Sequence, residues 1–162
     1  MEIGNNWAKI CSIFNDAFAS CGHYALTTIN DDGSPHVTPI GGLILREDQT
    51  GYYFDEYCTR TRDNLSRDPR VCILAVNANR IFWGKSLATG RFISPPAVRL
   101  VGTAGAMREA TADEIMAFKD KVSYAKGTKG YEMLWGLMNM VRDLRFDSFE
   151  PVETGEMTEG LW

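Results

Sequence analysis

The chain has 162 residues, 44% of them hydrophobic and 23% charged, with a formal net charge of −4. That balance describes one globular domain, residues 1–162, large enough to bury a core without disulfides or metal, and it excludes a disordered chain. The acidic balance argues against a general nucleic-acid binder, which needs a basic face, but leaves room for one local basic site.

Four cysteines (Cys11, Cys21, Cys58 and Cys72) show no CxxC pair and no metal-ligand spacing. With only His23 and His36 available as imidazoles, no metal site is expected. The N-terminus, MEIGNNWAKICSIF, lacks a basic start followed by an apolar run, so no signal peptide is expected. The longest strongly apolar run, 71-VCILAV-76, is too short to cross a membrane. A cytoplasmic protein with no membrane or nucleic-acid partner is the expectation.

Trp7, Ile10, Cys11, Phe14 and Phe18 recur at helical spacing and predict an amphipathic helix over 5–19. Next come 23-HYALTTIN-30 and 34-SPHVTPIGGLIL-45, joined by Asp31-Asp32-Gly33. They read as two strands around a tight turn, because Asp-Gly supplies the positive φ that a hairpin needs. A third strand follows at 52-YYFDEY-57. Thr59 or Thr61 then caps a short helix over 62–68, stopped by Asp68-Pro69. The run 70-RVCILAVN-77 is a buried fourth strand, rich in β-branched residues.

Residues 79–96, with Gly84, Gly90 and Pro95-Pro96, fit a long loop or irregular hairpin arm. A fifth strand, 97-AVRLVGTAGAM-107, leads to Thr111 and Glu114, a capping box for a helix with Ile115, Phe118 and Val122 on one face. A second helical pattern runs from Tyr131 through Leu134, Trp135 and Met138 to Val141, and 142-RDLRFDSFEPV-152 is a final strand. Hairpin-joined strands dominate and no run of βαβ units occurs. The fold class is therefore mainly β (α+β), an antiparallel barrel or sheet with peripheral helices. Neither GxGxxG after a strand nor GxxxxGK[ST] is present, so neither common nucleotide loop is supported.

The segment 59-TRTRDNL-65 carries the strongest chemical signal. A helix start leaves amides unpaired and holds a partial positive charge, so it binds anions. Threonine hydroxyls and an arginine fork add donors. A threonine cap followed by solvated arginines fits the same residues. In 36-HVTPIGG-42, His36, Thr38 and Ile40 share one strand face and Val37 and Pro39 the other. The glycines either let the backbone approach a flat ring or bend the strand to close a barrel.

The ordered succession DGSPHVTPI…YYFDEYCTRTRDNLSRDPRVCILAV resembles the pyridoxamine 5'-phosphate oxidase-like family of FMN-binding flavoproteins. The similarity covers residues 23–77 and, more weakly, extends to about residue 110. The resemblance implies a six-stranded antiparallel split β-barrel with peripheral helices, forming a homodimer that holds FMN between its subunits. It places the flavin ring along His36, Val37, Thr38, Pro39 and Ile40. It places the ribityl chain and phosphate from Asp55 to Asn64, with Thr59, Arg60 and Thr61 at the phosphate. The implied function is an FMN-dependent oxidoreductase moving hydride or electrons between the flavin and a small-molecule substrate or electron donor. A non-catalytic flavin module, and deazaflavin or haem binding, are the alternatives on the same scaffold.

The chain departs from the family pattern at particular positions. Thr61 stands where many members carry lysine, a change for which Arg60 and Arg62 can compensate. Thr38 and Leu43 replace basic residues of the second strand. No histidine follows His36, so the Arg-x-His pair of true B6 oxidases is missing. No residue stands out as a catalytic acid or base.

Overall fold

A computed structural model describes residues 1–162. In chain order the elements are α1 (Ile3–Cys21), β1 (Tyr24–Ile29), β2 (Pro35–Ile40), β3 (Leu43–Leu45), β4 (Thr50–Phe54), α2 (Thr59–Arg67) and β5 (Arg70–Val76). Then follow α3 (Arg80–Thr89), β6 (Ala97–Glu109), α4 (Ala112–Lys121), a 3-10 turn (Ser123–Ala125), α5 (Lys129–Trp135) and β7 (Met140–Pro151). All seven strands pair antiparallel in one sheet ordered β2-β1-β5-β6-β7-β4-β3.

That order explains the curvature. β2 and β3 are the two outer strands of the sheet, yet only Gly41-Gly42 separates them in the chain. Three peptide steps reach roughly 10 Å, so the two edges must come together and the sheet must curl. The expected barrel of six strands is this same sheet with 34–45 counted as one strand; the glycine pair breaks it and the count becomes seven. Gly42 packs tightly there, since a Cβ would stand 3.1 Å from Phe54 Cβ. A second glycine shapes the long β6–β7 pair: a Cβ on Gly102 would collide with the Arg145 carbonyl, where the register shifts by a bulge.

The core follows from the periodicities. α1 buries Trp7, Ile10, Ile13, Phe14 and Ala17 against Leu26, Ile73, Leu100 and Leu144 of the sheet. Cys11 and Phe18, expected on that face, lie at its half-buried margin. On the other side of the sheet Tyr52, Phe54 and Val141 meet Phe118 of α4, Val122 at its C-cap and Tyr131 of α5. The capping box forms: Thr111 Oγ1 accepts from Glu114 N, and Glu114 accepts from Thr111 N. Glu114 also pairs with Arg46 and Arg108, which both reach Asp143, tying α4 to β6 and β7.

Three local expectations change. Residues 80–89 are helical, where a loop or arm was expected. Asn79 caps them through its side chain, and the cap was masked by a nearly non-amphipathic sequence that buries only Ser86. Trp83 is folded back, its Nε1 donating to Asn77 O at 2.5 Å. The last helical pattern stops at Trp135, because Val141 and its successors pair with strands on both sides. α2 begins at Thr59, one turn ahead of the expected start. No helix is long and apolar enough to cross a membrane.

Candidate cofactor site

The chain leaves β4 at Phe54 and turns directly into α2. Asp55 at this corner is fully buried, and its Oδ2 accepts from Arg142 Nε at 2.7 Å. Arg142 also donates to Gly105 O at 3.0 Å. Arg62 turns back from α2 and donates to the carbonyls of Asp55 and Glu56, at 2.7 and 3.3 Å. Glu56 Oε1 accepts the amides of Asn139 and Met140. With both sides of the corner tied, the start of α2 is fixed on the barrel.

That start is open. Cys58 is the N-cap and gives no side-chain cap, and the first amide bond of the helix is Arg62 N to Cys58 O. The amides of Thr59, Arg60 and Thr61 therefore have no partner within the helix, the arrangement that favours an anion. Thr59 and Arg60 are exposed, and the Arg60 guanidinium makes no hydrogen bond or ion pair within the chain. It flanks a polar groove with Asn30, Asp31, Asp32, Asp63 and Arg67. Hydrogen bonds from Ser34 hold the Asp32 carboxyl below its usual range, and the charge of Arg60 adds a smaller push in the same direction.

β2 runs beside this helix start as an edge strand. His36 and Thr38 are half-buried and Ile40 is buried, whereas Val37 and Pro39 are exposed. Thr38 Oγ1 lies 3.8 Å from Cys58 Sγ, joining the strand face to the helix cap. His36 sits opposite Thr28 and its ring makes no hydrogen bond.

The residues singled out from sequence therefore fall into two groups. Thr38, Thr59 and Arg60 surround the open helix start, with His36, Val37, Pro39 and Ile40 on the adjoining strand. Asp55, Thr61 and Asn64 are buried beneath them. Asn64 Nδ2 donates to Thr28 Oγ1 and Asn30 Oδ1, and its Oδ1 accepts from Arg67, which also pairs with Asp31. Thr61 Oγ1, Asp55 Oδ1 and Tyr53 Oη are buried without a partner. Burial first, then the charge of Asp55, pushes the Tyr53 phenol far above its ordinary range. Arg62 is turned back to the strand end, where its Nη2 donates to the Asp55 and Glu56 carbonyls, so of the two arginines only Arg60 has a guanidinium without a partner. Arg142 had no sequence signal, being 87 residues from the aspartate it holds.

The chain is an antiparallel split barrel whose edge strand β2 runs beside the uncapped start of α2. The sequence model of the family described as pyridoxamine 5'-phosphate oxidase matches residues 14–138, and the chain belongs to that family.

Solved structures share the fold. HupZ of Group A Streptococcus is 19% identical, over 91% of this chain and 94% of its own, with a TM-score of 0.59. An FMN-binding protein from Syntrophomonas wolfei subsp. wolfei is 13% identical over 93% and 90%, also at 0.59. HutZ, the heme storage protein from Vibrio cholerae, is 13% identical over 88% and 94%, at 0.54. A comparison with curated proteins gave no match.

Proposed function

We propose that this chain is a homodimeric flavoprotein that binds FMN noncovalently and passes hydride or electrons between it and a small molecule. The supporting observation is the open first turn of α2, with an unpaired Arg60 beside the edge strand β2. The amides of Thr59, Arg60 and Thr61, the Thr59 hydroxyl and the Arg60 guanidinium would hold the phosphate. Strand residues His36 to Ile40 would flank the ring, and buried Asp55 and Asn64 hold the corner in shape. Bound FMN would supply the redox chemistry, with the protein orienting it and setting its electrostatics.

The dimer reading draws on the unpaired outer edge of β2 and its exposed Val37. The free cysteines and the lack of a membrane-crossing helix agree with a cytoplasmic setting. Haem is the competing cofactor, since His36 has a ring nitrogen free to act as a ligand.

The absorption spectrum separates the two. Bound flavin gives bands near about 375 and 450 nm, whereas haem gives one strong band near about 400 nm. Arg60→Ala removes one charge-assisted interaction, worth about 1.5–3 kcal/mol, and should weaken FMN roughly 10- to 150-fold in a fluorescence titration. Unchanged affinity removes Arg60 from the site. A parent protein that neither carries nor takes up FMN overturns the proposal, and a monomer by sedimentation with FMN bound overturns its dimeric part.

A further inference from the structure

A cavity of about 280 Å³ lies between α1, β1, β3 and the last turn of α4, and it shares no residue with the α2 corner. Phe14, Phe18, Tyr24 and Leu43–Leu45 give it apolar walls. Into this lining α4 delivers one cation, Lys121. Its Nζ donates to Leu43 O at 2.6 Å and to Tyr24 Oη at 3.1 Å, and it stands 4.2 Å from the centre of the Phe18 ring. Both acceptors are neutral. No carboxylate lies within ion-pair distance of Lys121, although Arg46, Arg62, Arg67, Arg70, Arg108 and Arg142 all have one.

An ammonium has three donors, and two are used here. A charge drawn into apolar surroundings without a counter-ion is costly, and an anion from outside relieves that cost. Burial lowers the Lys121 pKa to about 8, so the amine is still mostly charged near neutrality. The other titratable lining groups, Cys11 and Tyr24, are both pushed upward by burial and supply no negative charge below pH 9.

We propose that this cavity is a binding site for a small apolar monocarboxylate, paired with Lys121 through its carboxylate and packed against Phe14 and Phe18 through its hydrocarbon body. One cation among apolar walls matches a single negative charge. A phosphate dianion would bring an uncompensated second charge into the same space. The volume falls just below the range of about 300–1,000 Å³ usual for drug-sized ligands, which sets a small body.

Calorimetric titration of the full chain with octanoate, octan-1-ol and octylamine tests the site. Octanoate should bind at least tenfold more tightly than octanol, and octylamine should give no detectable binding. The octanoate affinity should decline as pH rises through about 8, by up to tenfold per unit, because Lys121 loses its proton while the carboxylate stays ionised. Lys121→Met should weaken octanoate tenfold or more and abolish its advantage over octanol. The proposal is overturned if octanoate does not bind, if octanol binds as well in the parent, or if Lys121→Met keeps the preference. Should that variant fail to fold, the octanoate-to-octanol ratio of the parent and its decline above pH 8 decide the question.

Discussion

Replacing Arg142 by methionine tests the corner that carries the candidate site. The substitution leaves the Asp55 carboxylate fully buried and without its 2.7 Å partner. Removing one member of a buried ion pair costs about 3–5 kcal/mol. Arg62 Nε stands 3.9 Å from the same oxygen, so a second guanidinium is at hand and the loss should fall near the lower limit, about 3 kcal/mol. For a domain of this size that lowers the melting temperature by about 6–12 °C. In the double variant Asp55→Val/Arg142→Met the fully buried carboxylate leaves together with its partner. The bond to Gly105 O is lost, at about 1 kcal/mol, as is the longer 3.9 Å contact of the part-exposed Arg62, so the double variant should be more stable than the single. Urea unfolding of the parent, the single and the double variants reads all three values. The reasoning fails if Arg142→Met unfolds within about 1 kcal/mol of the parent, or if the double variant is no more stable than the single.

The charge network on α4 gives an acid dependence. Arg108, with help from Arg46, holds the Glu114 and Asp143 carboxyls down at about 2, from ordinary values of 4.5 and 3.8. Their folded pKa values lie below the unfolded ones, so their contribution is complete above about pH 4.5 and is lost as pH falls through about 2. Arg108→Gln should flatten this part of the stability profile, and a profile identical to that of the parent would falsify the assignment. Thr61→Val removes a buried hydroxyl with no partner, so stability should rise by about 1 kcal/mol. FMN affinity should stay within about twofold, since the proposed site uses only the Thr61 backbone amide; a tenfold loss in the fluorescence titration would show that the hydroxyl takes part.

The split barrel was legible through the family resemblance; what the residue patterns by themselves made legible was local. The 3.6-residue apolar spacing from Trp7 to Phe18 marks α1. Asp32-Gly33 marks the β1–β2 hairpin, with Gly33 at φ 81°, and Thr111 and Glu114 mark the start of α4. α3 escaped because its signal is one capping asparagine, while its sequence has almost no helical amphipathicity to support it. The end of α5 escaped for the opposite reason: the pattern continues through Val141, but the vacancy between β4 and β6 claims those residues as a strand. Strand pairing between distant segments overrides a local period, and nothing in seven residues of sequence records it.

The candidate site divides along the same line. That a helix start at 59–65 favours an anion follows from amide geometry and residue type, and both are written in the sequence. Which of its side chains are free depends on the barrel behind it. Arg60 and Arg62 look equivalent in the sequence, yet a two-residue step turns the helix by about 200°. One guanidinium faces solvent, and the other reaches the carbonyls of Asp55 and Glu56. Thr61 lies between them and points inward. A lysine there would have to lead its ammonium out from a position that is fully buried in this chain. In this chain the positive charge at the corner therefore rests on Arg60 and the helix amides, with the buried residues fixing where that charge stands.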